Sequence, residues 1–178
     1  DGIDGITGVE ITSIGIGLAG LAASGAIAPS LLDPAIALTA AALGFLVWNW
    51  SPARIFMGDV GSIPIGYLLG WLLIGASQDV GDHGSGIVAC LILPAYYLFD
   101  ASITLGRRLW NRENVLQAHR QHFYQKAAIR GVRHKVVCGW VILANSGLIV
   151  TAWFIADLYP IWALALASLI VLLLLSRM

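Results

Sequence analysis

LYPIWALALASLIVLLLLS, residues 158–176, is a run of 19 residues without Asp, Glu, Lys or Arg. A helix needs about 20 apolar residues to cross the hydrocarbon core of a bilayer. Working back along the chain, five more charge-free windows appear: Ile11–Leu32, Pro34–Ala53, Val60–Gln78, His83–Phe99 and Val136–Ala156. Backbone groups in lipid must bond internally, so each window predicts a helix. The fourth is expected to run past Asp100 to about Leu105. Whole-chain composition agrees: 58% of the 178 residues are hydrophobic and 11% charged, against roughly 25% charged in a soluble domain. Mean hydropathy is +0.82. A disordered chain, a nucleic-acid binder and a disulfide scaffold are excluded. The fold class is an all-α polytopic membrane bundle of six helices, a single integral membrane domain over 1–178.

Charge is uneven along this frame. Loops near Asp33, Asp79–Asp82 and Asp157 are acidic. All ten basic residues fall on the other side, most of them in the long loop 106–135. The positive-inside rule makes that side cytoplasmic. Gly66 and Gly70, with Gly17, Gly20 and Ser24, are small residues that let helices approach closely. Trp48, Trp50, Trp110, Trp153 and Trp162 fall near span ends, as interface anchors do. Cys90 and Cys138 lie in apolar runs and read as buried thiols.

Three polar clusters stand outside the spans. The first is DGIDG (1–5), followed by Glu10. Asp1 and Asp4 share a face if the segment is helical, and carboxylates there suit a hard cation. A polar turn capping the next helix is the competing reading. The second is NWSPARIFMGDVGS (49–62). Asp59 stands between glycines at a helix start, where it serves either as N-cap or as a cation ligand beside a phosphate. The third, in the long loop, holds His119-Arg120-Gln121-His122. His119 and His122 share a face at helical spacing. Headgroup binding explains the Lys and Arg of this loop but not the histidines. Asp100, inside an apolar stretch, is a functional candidate because a membrane-embedded carboxylate is costly. Its expected partner is Arg107, or a polar cavity.

In this order the clusters, with LPAYYLFDASITLGRR (93–108) and HRQHFYQKA (119–127), resemble the polyprenyl-phosphate N-acetylhexosamine-1-phosphate transferase superfamily. The HRQHFYQ form is more similar to its GlcNAc-type and O-antigen-initiating branch. The resemblance implies a bacterial inner-membrane enzyme with cytoplasmic active-site loops. It would transfer a sugar-1-phosphate from a UDP-N-acetylhexosamine to polyprenyl phosphate, releasing UMP and initiating cell-envelope glycan synthesis. It implies Mg²⁺, with Mn²⁺ as the alternative ion, held by Asp59. It gives Asp1, Asp4, His119 and His122 catalytic roles and Arg120 substrate binding. Asp100, Arg107 and Arg108 match recurrent positions, taken as substrate-binding. A homodimer is compatible with it. The family's aspartate-rich DDxxD motif and N-terminal helices are absent from this sequence. The expectation is therefore a C-terminal portion of a longer transferase, inactive alone. The rivals are a transporter, with Asp100 as an ion site, and a catalytically incomplete membrane subunit.

Overall fold

A computed structural model describes residues 2–78, 85–115, 117 and 119–178, with Ser85 given by its backbone. Eight α-helices are described: α1 (Ile6–Ala23), α2 (Leu32–Asn49), α3 (Gly58–Ser77), α4 (Ser85–Ile92), α5 (Ala95–Trp110), α6 (Phe123–Ile129), α7 (His134–Phe154) and α8 (Pro160–Arg177). A 3-10 turn, Pro29–Leu31, leads into α2. Five helical segments are long and apolar enough to cross a membrane, and the bent pair α4–α5 makes six. This is a polytopic membrane bundle.

Helix α1 is the centre. It is apolar all round, the pattern of a helix enclosed by others, and packs against α2 and α7. Close approach is set by glycines that leave room for neighbouring side chains: Gly8 for Leu46, Gly17 for Leu93 and Gly20 for the Trp153 ring. Trp153 Nε1 donates to Gly17 O at 3.0 Å, so this tryptophan ties α7 to α1 as well as lying at a span end. Gly66 and Gly70 meet nothing within 4 Å among the described residues. The small-residue packing expected there is instead made by the glycines of α1. Helix α3 leaves a broad apolar face outward, from Val60 at 91% exposure through Ile63, Tyr67, Trp71 and Ile74.

Several expected boundaries move, each for a physical reason. The first span begins at Ile6, not Ile11, and takes in Glu10. That carboxylate is fully buried and accepts a hydrogen bond from Asn145 Nδ2 at 2.7 Å. A charge-free window cannot include a residue whose charge problem is solved by a helix 135 positions away. The span ends at Ala23, where Gly25 turns left-handed (φ 76°) and Ala26 N–H reaches back to Leu21 O at 2.9 Å, a glycine-based helix stop. The second span starts before Asp33, which sits in the first turn of α2. The fourth is not one rod: α4 and α5 meet at 62° across Leu93–Pro94, where proline lacks an amide to continue the ladder. The second arm continues to Trp110, so the long loop starts at 111 rather than 106 and holds α6 within it. Cys90 and Cys138 are free thiols, Cys138 buried as expected and Cys90 only partly buried.

Candidate functional site

The local chemistry starts at Gly5. Its φ of 85° suits glycine, and an added Cβ would meet Cys138 Sγ and Trp50. This turn brings Gly5 N–H to Asn49 Oδ1 at 2.9 Å, while Asn49 Nδ2 donates to Ile55 O at 2.8 Å. Asn49, the last residue of α2, thereby staples the turn at 2–5 to the segment 50–56. Asp4 completes the join. Its Oδ2 accepts from Ala53 N–H at 3.2 Å and lies 3.3 Å from His134 Nδ1. The same Nδ1 is 3.3 Å from the Asp4 amide nitrogen. A protonated Nδ1 serves the carboxylate and an unprotonated one accepts from the amide. Burial pushes the Asp4 pKa up. The bonds from Ala53 N–H, His134 and Ser51 outweigh it and leave the carboxyl below its usual range, hence ionised at neutral pH.

Two recesses open beside this junction. The smaller, about 220 Å³, is lined by Gly2, Ile3, Asp4, Asn49, Phe56 and His134. The larger, about 530 Å³, is lined by Gly2, Ile3, His119, Arg120, Gln125, Ala128, Ile129 and His134. They share Gly2, Ile3 and His134. Gly2 sits so close to the Gln125 side chain that a Cβ would collide with it. Three clusters far apart in the sequence thus converge at one end of the bundle. Asp33, in the first turn of α2, and Asp157, past the end of α7, lie at the other.

His119 and His122 do meet, though not as successive turns of a helix. Both precede α6, and their rings stack with centroids 5.0 Å apart. Tyr124 stacks on His122 at 5.5 Å. Burial, then the nearby Arg108 and His122, pull the His119 pKa down. Arg120 is exposed and has no hydrogen-bond or ion-pair partner among the described residues. It is a cation available to an anion entering the larger recess.

The remaining basic positions are engaged otherwise. Asp100 does not pair with Arg107. It is buried, and its Oδ1 accepts from Phe123 N–H at 3.0 Å and lies 3.4 Å from His122 Nδ1. Arg107 is exposed, with its guanidinium 5.4 Å from the Phe123 ring centroid, and Lys126 Nζ lies 5.8 Å from the same ring. Arg108 is 3% exposed. It donates to Glu113 Oε2 and Val115 O, each at 3.3 Å, to Gln117 O at 3.3 Å, and to Asn114 O. Gln121 Nε2 donates to the same Glu113 oxygen at 2.7 Å. The guanidinium is spent on holding the loop.

Asp59 is exposed in the first turn of α3, with Met57 rather than Asp59 at the N-cap position. It has no hydrogen-bond or ion-pair partner among the described residues. No group of three or more His, Cys, Asp and Glu among the described residues is arranged to hold a metal ion. Asp1, Asp79 and Asp82 lie outside the described residues. Sequence reasoning did not single out His134 as a site residue. Its signal was a third histidine in the basic segment, at the start of the next apolar run. Asn49 was quoted within a cluster without a role.

Residues 1–77 match the family described as glycosyl transferase family 4. Proteins similar to this chain include the "Probable undecaprenyl-phosphate N-acetylglucosaminyl 1-phosphate transferase" of Bacillus subtilis. It is 29% identical over 137 residues, covering 76% of this chain and 37% of the relative. The "Phospho-N-acetylmuramoyl-pentapeptide-transferase" of Streptomyces griseus is 29% identical over 174 residues, covering 86% and 49%. The enzyme of the same name from Moorella thermoacetica is 42% identical over 81 residues, covering 45% and 26%. The chain therefore spans half or less of the length of these relatives. No solved structure matches it.

Proposed function

We propose that this chain forms part of a bacterial membrane transferase that moves an N-acetylhexosamine-1-phosphate from a UDP-sugar to polyprenyl phosphate, with its recesses facing the cytoplasm. A phosphate oxygen of the lipid forms a bond to the sugar-bearing phosphorus as the bond to the UMP oxygen breaks. UMP leaves and polyprenyl-diphosphate-sugar remains. The observation that carries the reading is the convergence of Asp4, His134, His119 and an unpaired Arg120 around two joined recesses. The names of the relatives supply the substrate class.

Catalysis of this kind is mainly positioning and charge neutralisation. Arg120 and His119 line the larger recess, where hydrogen bonds to phosphate oxygens are charge-assisted. Ionised Asp4 sits in the smaller recess, fixed by Ala53 N–H and His134. It is an acceptor for hydroxyl or amide groups of a nucleotide sugar, a group it can orient and discriminate. The donor set suits Mg²⁺ only as a shared site. That ion uses one or two carboxylates together with substrate phosphates, and Asp59 is an exposed carboxylate without other partners among the described residues. Asp59 would hold it. When bound, it would offset charge on the transferring phosphoryl group.

The test is UMP release from UDP-N-acetylglucosamine with undecaprenyl phosphate and Mg²⁺, in membranes where the chain is co-expressed with the N-terminal portion of a relative. Loss of one charge-assisted bond worth about 2–3 kcal/mol means turnover falls about 30- to 150-fold in His119→Ala and in Arg120→Ala. Unchanged turnover in both would remove the larger recess from the site.

A further inference from the structure

Asp100 is 1% exposed and lies on the second arm of the bent helix. Its Oδ1 accepts from Phe123 N–H at 3.0 Å and from the Thr104 hydroxyl at 3.3 Å, and lies 3.4 Å from His122 Nδ1. Its Oδ2 is buried without a partner among the described residues. If the task were only to cap α6, a neutral acceptor would do it without a charge to bury, since Asn caps as well as Asp. What distinguishes a carboxylate here is the imidazole beside it. A carboxylate against one ring nitrogen fixes which nitrogen carries the proton and how the ring is turned. The ring so fixed stacks at 5.0 Å on His119, and His119 lines the larger recess together with Arg120.

We propose that Asp100 is a positioning residue: it holds His122 by Nδ1 and, through the His122–His119 stack, sets the histidine face that the larger recess offers to phosphate. The assignment rests on the transferase reading for its purpose, but its geometry can be tested without substrate. Asp100 sends this influence from α5 to a segment more than twenty residues further along the chain. Phe123 N–H on the same oxygen locks the start of α6 in register with the ring. Thr104, one turn along α5, holds the carboxylate from the other side.

The experiment is nitrogen NMR of ring-labelled histidine in the detergent-solubilised chain, with His122 assigned by its loss in His122→Gln. In the wild type, the neutral His122 ring is expected to carry its proton on Nδ1. In Asp100→Asn that preference should be lost, while amide-exchange protection of residues 123–129 persists. In Thr104→Val it should be kept. A wild-type ring protonated on Nε2, or a preference that survives Asp100→Asn, overturns the proposal. If Asp100→Asn does not fold, the wild-type ring decides alone. In membranes, Asp100→Asn should lower turnover about 10- to 100-fold, the range for removing an outer partner of a working group. It should lower it no further in a His122→Gln background. Additive losses would mean that Asp100 acts by another route. A correct ring state with no UMP release even when the chain is co-expressed with the N-terminal portion of a relative would sink the transferase reading and leave the positioning role standing.

Discussion

Replacing Asn49 with alanine should uncouple the two halves of the candidate site. Asn49 is 1% exposed, and its side chain makes two bonds, from Gly5 N–H at 2.9 Å and to Ile55 O at 2.8 Å. Alanine leaves a donor and an acceptor without their partner. Each such group costs about 1–3 kcal/mol when it stays buried. Gly5 N–H is buried with its residue, whereas Ile55 is exposed and its carbonyl can recover a partner from water. The expected loss is therefore about 2–4 kcal/mol, nearer the lower figure if water enters. For a chain of this size that is a fall in Tm of about 4–16 °C. The assay is thermal unfolding in detergent, paired with limited proteolysis between residues 50 and 57, where new cleavage should appear. Asn49→Asp is the control. It keeps an acceptor for Gly5 N–H but removes the donor to Ile55 and adds a second carboxylate near Asp4, so it should lose stability too. An Asn49→Ala protein with wild-type Tm and no new cleavage would refute the idea that this side chain joins turn and loop.

Asp59→Asn should leave the unfolding free energy within about 0.5 kcal/mol of wild type, because an exposed side chain without partners contributes little to stability, while the Mg²⁺ dependence of turnover changes. A large fall in Tm would point to a structural role. The depressed Asp4 pKa stabilises the fold above the ordinary value of 3.8. That contribution is lost as pH falls through the lower folded value, so Asp4→Asn should flatten the stability–pH curve only below about pH 4. Arg108→Met should cost about 3 kcal/mol, because Glu113 and three loop carbonyls lose their donor. Protease cleavage near 113–117 would report it, and an uncut loop would count against the clamp.

The helices were legible because lipid demands long apolar runs. Five of the six windows between Ile11–Leu32 and Leu158–Ser176 correspond to helices long and apolar enough to cross a membrane, and the sixth to the bent pair α4–α5. What a charge-free window misses is a charge with a hidden partner. Glu10 looked like a boundary because Asn145, its partner, belongs to a helix near the other end of the chain. The 62° break at Pro94 was equally hidden, since transmembrane helices tolerate proline. At the site, residue types singled out the clusters, but nothing in their spacing said that Asp4 would meet Ala53 and His134. Those contacts are made only when α1, α2 and α7 pack. Asp100 was marked by its cost, yet was expected against Arg107, two turns along the same helix. Intrahelical spacing is visible in a sequence, and the loop that folds back over α5 is not.

Arg108 has a thermodynamic consequence for ligands. Where a loop is ordered only on binding, each residue fixed subtracts roughly 1–2 kcal/mol of conformational entropy from the affinity. Here a guanidinium at the end of α5 holds the carbonyls of Asn114, Val115 and Gln117, and Glu113 holds Gln121 in turn. The ordering of Glu113, Asn114, Val115, Gln117 and Gln121 is completed during folding. An anion arriving beside Arg120 should therefore bind with a small heat-capacity change and little entropic penalty. Its affinity would be set by contact chemistry rather than by the cost of immobilising a chain.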